Sequence, residues 1–214
     1  RDALRSLTKA VDADPEMARA HNALGLVYHA LGRYEEALAH YEEAVSLDEG
    51  FSEAFNNMGT LLTDLGRYDD AIESFQTALN DVLYRSPTHA EANMGWAFYK
   101  KGEVDQAVRH LRNAVATNPK FCRGYEWLAL IGIEENKPDQ AVANVHRFEK
   151  HCVADENIAA QIPGSYRQEM KFYLAKGYHQ LGDKDSARKS YADCALGGET
   201  AVGIKCAQTL RALR

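Results

Sequence analysis

The residues able to do chemistry in this chain are eight histidines, four cysteines and a dense set of carboxylates. Their spacing decides which chemistry is open to them. There is no His-Glu-x-x-His pair, no Cys-x-x-Cys and no glycine-rich phosphate loop, so the sequence contains neither a zinc motif nor a nucleotide cradle. His151 stands directly before Cys152, but adjacent helical residues point about 100° apart, a poor geometry for a thiolate and its base. The carboxylates lie side by side at Glu35, Glu36, Glu42 and Glu43, and again at Asp69, Asp70 and Glu73. Two carboxylates become an acid and a base only where their surroundings split their pKa values, and a solvated helix face offers no such contrast. No catalytic residue, metal or cofactor is therefore expected, and the chain reads as a binding protein rather than an enzyme.

What must position these side chains is a repeat. Gly25 and Gly59, Gly32 and Gly66, Tyr34 and Tyr68, Ala37 and Ala71, and Ala44 and Ala78 are each 34 residues apart, the period of a helix-turn-helix unit. Two antiparallel helices pack closely only where small residues meet at the crossing, and Gly25 and Ala37 supply them. Leu24 and Tyr28 on the first helix, with Tyr41 and Val45 on the second, keep the i, i+4 spacing of an apolar stripe. Leu31-Gly32-Arg33-Tyr34 is the turn, with glycine free to take a left-handed cap. These residues resemble the tetratricopeptide repeat (TPR) family. The resemblance implies an all-α fold, a right-handed superhelix of antiparallel helix pairs.

On this period the array fills residues 1–196. A half repeat at 1–17 precedes full repeats near 18–51, 52–87, 88–121, 122–165 and 166–196, and a capping helix follows at 197–214. Stepping back 34 residues from Ala37, Tyr41, Ala44 and Glu49 lands on Ala3, Leu7, Ala10 and Pro15. Residues 1–15 are thus the second helix of a repeat, and the chain is expected to be a fragment or processed form. Ala71 to Ala107 is 36 residues, two more than the period, which lengthens the connection near 80–87; Ala141 to Ala187 is 46, which places a linker around 154–165 containing Pro163-Gly164. Phe148 takes a slot that is small elsewhere, so its helix is predicted to pack differently and run on toward Val153. Gly197-Gly198 ends the last repeat.

The chain has 214 residues and a net charge of −6 with no basic run, which argues against nucleic acid as a partner. No stretch of about 18 uncharged apolar residues is present, so none is predicted to span a membrane. The histidines divide between the helices: His21, His29, His89 and His179 fall on first helices, His40, His110 and His146 on second ones. Cys122 opens a first helix and Cys152 closes its partner, so the two ends of one hairpin bring them together. Cys194 and Cys206 face each other in the same way across the glycine turn. In an oxidising compartment each pair would form a disulfide worth about 3 kcal/mol; the alternative is four buried thiols.

In TPR arrays the first helices line the concave face. The resemblance therefore implies a partner-binding groove of Asn22, Leu26 and His29; Asn56, Thr60 and Thr63; Trp96, Tyr99 and Lys100; Arg123, Glu126, Leu130 and Ile133; and Phe172, Lys176 and His179. Asn22 and Asn56 share a slot, which would let their amides bond an extended peptide backbone. Trp96, Tyr99, Leu130, Ile133 and Phe172 exceed what packing within each repeat requires. If about 400 Å² of apolar surface is open there, its burial is worth about 10 kcal/mol, against association costs of about 4 to 15 kcal/mol. Hydrogen bonds are needed as well, and an amphipathic helix or extended segment supplies both.

A narrower resemblance lies in Ala78-Leu79-Asn80-Asp81-Val82-Leu83-Tyr84-Arg85-Ser86-Pro87, followed by Ala90, Asn93 and Gly95. This lengthened junction is similar to that of the PilF/PilW/Tgl group, the TPR pilotins of type IV pilus biogenesis. The resemblance implies an outer-membrane lipoprotein facing the periplasm, whose partner is the secretin subunit and which promotes secretin targeting and multimerisation. The lipidated cysteine of that group lies upstream of Arg1, and none of the four cysteines here matches its motif. A periplasmic location favours the two disulfides. The alternative function is a cytosolic TPR adaptor or co-chaperone that clamps a peptide tail through Arg19, Lys100, Arg123 and Lys176. A third is the regulatory domain of a larger enzyme.

Overall fold

The computed structural model describes residues 2–196, 198 and 200–213. Arg1, Gly197 of the expected glycine break, and Glu199 and Arg214 of the expected last helix lie outside the described residues. Helices α1 (Asp2–Ala13), α2 (Ala18–Ala30), α3 (Tyr34–Leu47), α4 (Ser52–Asp64), α5 (Tyr68–Asn80), α6 (Pro87–Lys101), α7 (Val104–Thr117), α8 (Cys122–Glu134) and α9 (Pro138–Phe148) come first. A π turn at Glu149–Val153 extends α9, and α10 (Glu156–Ala159), α11 (Gly164–Gln180), α12 (Lys184–Ala195) and α13 (Ala201–Ala212) complete the chain. No strand occurs among the described residues, and helices neighbouring in sequence pack in pairs, α2 with α3, α4 with α5, α8 with α9 and α11 with α12. The all-α helix-pair architecture implied by the sequence is what the chain adopts.

Two compact units divide after His110, within α7. In the first, the hairpins close on a glycine. A methyl group added at Gly25 would meet the Tyr41 ring at 2.6 Å, and one at Gly59 would meet the Phe75 ring at 2.8 Å. Both rings are fully buried. Each glycine therefore receives an aromatic from the second helix of its own hairpin, while Ala37 and Ala71, both at 0% exposure, let that helix approach.

The turns repeat one device. Gly32, Gly66, Gly102 and Gly182 all have positive φ, and the next residue donates its N–H back five residues, as Arg33 does to Tyr28 and Arg67 to Leu62, both at 2.9 Å. This Schellman cap satisfies carbonyls that the helix end would leave open. The fifth turn uses Asn136, at φ 53, with Lys137 bonding back to Gly132. Asparagine is the side chain that tolerates this conformation best after glycine.

In the second unit, Tyr125, Ala129, Val145, Phe148, Cys152 and Met170 form one buried cluster, and Ala175, Ala187, Tyr191, Cys194 and Cys206 another. Cys122 and Cys152 are joined by a disulfide, with Cα atoms 5.9 Å apart, and Cys194 is joined to Cys206 at 6.0 Å. Phe148 sits against Tyr166 of α11, edge to face at 5.5 Å, and the π turn starts directly after it. The segment expected as a linker at 154–165 is partly helical. Asp155 accepts N–H bonds from Asn157 and Ile158 and starts α10, and Pro163 places α11 from Gly164 onward.

Gly59→Ala is expected to cost about 1–3 kcal/mol, because the added methyl must displace the Phe75 ring from a filled core. Urea denaturation of the variant against the parent measures it.

Candidate functional site

In the first unit the candidate surface is built on α2, α4 and α6. Helix α4 is two-faced. At 100° per residue, Glu53, Asn56, Asn57 and Thr60 fall on one side, and Phe55, Met58 and Leu62 on the other. The polar side opens onto a pocket of about 610 Å³ shared with the start of α6 and with the connection at 81–86. Asn56, Asn57, Thr60, Tyr84, Arg85, His89 and Asn93 line it, with Glu53.

The asparagines join one first helix to the next. Asn57 Nδ2 donates to Asn22 Oδ1 at 3.0 Å, and Asn93 Nδ2 donates to Asn56 Oδ1 at 3.2 Å and to Thr60 Oγ1 at 3.4 Å. Asn22 and Asn56 are buried. Their side-chain oxygens are thus committed to the neighbouring repeat, which corrects the expectation that these amides stand ready for a peptide. His29 Nε2 on α2 also pairs across to α4, with Asp64 Oδ2 accepting at 2.9 Å. Thr63 is buried, its hydroxyl donating to the Gly59 carbonyl at 2.9 Å. Leu26 is exposed, and Trp96 and Tyr99 are half-buried with ring centres 5.3 Å apart. Lys100 places its ammonium 5.4 Å from the Trp96 ring.

The connection at 81–86 is two residues longer than those at 48–51 and 118–121. Asp81 holds its shape. The Ser52 hydroxyl donates to Asp81 Oδ2 at 2.6 Å and the Leu83 N–H to Oδ1 at 2.8 Å, and these bonds, the hydroxyl first, hold the carboxyl below its ordinary pKa. Burial, aided by Glu53, pushes the Tyr84 hydroxyl up to about 12. Between them Val82 and Leu83 project into solvent, 94% and 83% exposed.

In the second unit, Arg123 is exposed with its guanidinium 5.8 Å from the Trp127 ring, and Leu130, Phe172 and Lys176 are half-buried. Lys205 lies 5.0 Å over Phe172, and His179 is exposed beside Tyr191. Ile133 is not on an open face. It is 3% exposed, and α11 lies over it: Gln180 Nε2 donates to the Ile133 carbonyl at 3.3 Å, and a methyl at Gly177 would come within 3.8 Å of Ile133 Cδ1. Glu126 is half-buried on the same helix. Burial pushes its carboxyl up to about 7; Arg123 opposes the shift, the like charge of Glu169 adds to it, and a bond from Tyr166 partly offsets it. Burial, with the carboxylates of Glu126, Glu169 and Glu134, also raises Tyr173 to about 12.

Four of the other histidines are tied into local pairs. His21 and His40 face each other through Nδ1 at 3.1 Å, His110 meets Glu91 at 3.0 Å, and His146 meets Glu149 at 3.0 Å and Tyr178 at 3.1 Å. Among the described residues no three of His, Cys, Asp and Glu gather where a metal could sit. The residues that sequence reasoning passed over are Asn57, Tyr84, Arg85 and the partner role of Asn93. Asn57 and Asn93 are 36 apart, the period plus the two inserted residues, a signal that was open to reading.

Tetratricopeptide-repeat models match residues 1–50 and 51–120, together more than half of the chain. No curated protein sequence matches it significantly. Among solved structures, PilW, described as a widely conserved type IV pilus biogenesis factor, is similar with a TM-score of 0.82 at 20% identity over 94% of this chain and 87% of that one. PilF of Pseudomonas aeruginosa is similar with a TM-score of 0.75 at 20% identity, over 97% and 87%. YrrB, described as a TPR protein with an unusual peptide-binding site, is similar with a TM-score of 0.66 at 17% identity, over 96% and 100%. At these identities the likeness is one of fold.

A carboxyl whose folded pKa is raised from 4.5 to about 7 binds a proton that the unfolded chain has already released. The contribution of Glu126 to stability is then fully present below about pH 4.5 and is lost as pH rises through about 7. Glu126→Gln should flatten this slope and leave the protein more stable at pH 8 by on the order of 1 kcal/mol, the half-buried position being partly screened by solvent. Urea midpoints of parent and variant from about pH 5 to about pH 8 measure the difference.

Proposed function

Because the chain belongs to the tetratricopeptide-repeat family, a family of protein-interaction scaffolds, we propose that it serves type IV pilus biogenesis as a pilotin. In this reading it captures a segment of the outer-membrane secretin and promotes secretin targeting and multimerisation, without catalysing a reaction. The observation that carries the reading is the lengthened junction at 81–86. That is the stretch in which the sequence resembles the pilotin group, and it presents Val82 and Leu83 to solvent beside the asparagine-lined pocket. The likeness in fold to PilW and PilF supports it.

The physical logic is that of peptide capture. Two neighbouring apolar side chains give an incoming segment area to bury, and the pocket beside them offers its backbone the Arg85 guanidinium and the Asn57 and Asn93 amide oxygens, which the bonds to Asn22 and Asn56 do not use. Area alone would not outweigh the cost of association. The polar pocket supplies direction and register. We place the protein at the periplasmic face of the outer membrane, held by a lipid anchor upstream of Arg1. The two disulfides favour that side, since such bonds persist in oxidising compartments and are rare in the cytosol.

Deleting the gene should abolish secretin multimers, and re-expression of the parent chain should restore them. The double variant Val82→Ser, Leu83→Ser should weaken secretin capture by more than about tenfold with an unchanged melting curve, because both side chains are already in solvent. Undiminished secretin multimers in the deletion strain would overturn the proposal.

A further inference from the structure

The opposite side of α4 opens onto a second cavity, of about 470 Å³, between α3 and α5. Its floor is apolar: Phe55, Met58 and Leu62 from α4, with Leu38 and Val45 from α3. Of these Leu62 is fully buried and the other four are half-buried, Leu38 and Met58 packing in part against the core beneath. The rim is acidic. Glu42 stands on the α3 wall and Glu49 on the connection that follows it, Asp70 and Glu73 stand on the α5 wall, and the one cation among the described lining residues, Arg67, is already paired with Asp70 at 2.6 Å. Among the described residues Glu42, Glu49 and Glu73 have no ion pair.

We propose that this groove is a second docking surface, formed on the second helices, and that it takes a basic amphipathic helix from a partner protein. From Leu38 to Leu47 the α3 wall runs about 14 Å, the length of about two and a half helical turns, and Glu49 lies just beyond its end. A helix lying there with one apolar stripe would cover what the four half-buried side chains of the floor still expose. Lys or Arg on both flanks of that stripe would reach the unpaired carboxylates. An acidic or neutral helix would bury the rim without compensation. The groove is separate from the asparagine-lined pocket, because the α4 residues lining the two lie on opposite sides of that helix, and the inference does not depend on the pilus reading.

The test uses the whole chain and a synthetic probe. This is a fluorescein-labelled helical peptide of about 14 residues with leucines at i, i+4 and i+7, lysines on both flanks and one photoreactive group on the apolar side. It is expected to bind, to weaken as salt rises from about 50 to about 200 mM, and to cross-link to α3, α4 or α5. Replacing its lysines with glutamates should abolish binding. The double variant Glu42→Lys, Glu73→Lys should weaken binding by more than about tenfold. Glu35→Lys with Glu43→Lys makes the same change in net charge outside the lining and should alter binding by less than about threefold. Val45→Asn should weaken it by more than about fivefold, measured at a temperature where circular dichroism shows the variant fully folded. Absence of binding, equal loss in the two charge-reversed variants, or cross-links confined to α2 or α6 would overturn the assignment.

Discussion

The architecture depends on a glycine set opposite an aromatic ring. At Gly25 and Gly59 the first helix of a hairpin has no side chain, and the space is taken by Tyr41 and Phe75 of the second helix. An axis-to-axis approach this close buries the whole ring and fixes the rotation of each helix about its own axis. Once that rotation is set, the remaining faces have no choice of direction. On α4 the side bearing Asn56, Asn57 and Thr60 turns one way and the side bearing Phe55, Met58 and Leu62 the other, and each faces a cavity. The binding surfaces are therefore consequences of a packing constraint rather than separate additions to the fold.

Coupling between hairpins rests on different chemistry. Side-chain amides carry it on the first helices, from Asn57 to Asn22 and from Asn93 to Asn56, with His29 and Asp64 about two turns further along. Such bonds have direction where apolar contacts do not. They fix the register of one repeat against the next. In the second unit Phe148 meets Tyr166 of α11 and the bonds from Gln180 to the Ile133 carbonyl and between His146 and Tyr178 perform that task, while disulfides close the α8–α9 hairpin and tie α13 to α12. The change in chemistry coincides with the loss of strict period at Phe148 and in the residues that follow.

Much of this is legible in the order of the residues because the 34-residue period is a packing rule. It locates the hairpins, the turns and the longer connection before α6, and by bringing hairpin ends together it points to both cysteine pairings. Where the period breaks, legibility is lost. The segment at 154–165 reads as a linker because Pro163 and Gly164 dominate it, yet Asp155 caps a turn of helix inside it. Ile133 reads as a groove residue because α8 is apolar almost all round, and Trp127, Leu128, Ile131 and Ile133 are all buried. Periodicity cannot tell one side of such a helix from another. The resting place of α11, offset by twelve residues, decides it. The asparagines that join the repeats show in sequence as a recurring slot, but not their bonds, since a polar residue on a first helix looks the same whether it faces solvent or its neighbour.

The claim that glycine and ring determine each other is tested most directly by a double-mutant cycle between Gly59→Ala and Phe75→Leu, followed by urea denaturation. The account predicts coupling: with the ring gone there is room for the methyl, and the penalty of Gly59→Ala falls to less than about 0.5 kcal/mol in the Phe75→Leu background. An undiminished penalty, so that the two changes simply add, would contradict it.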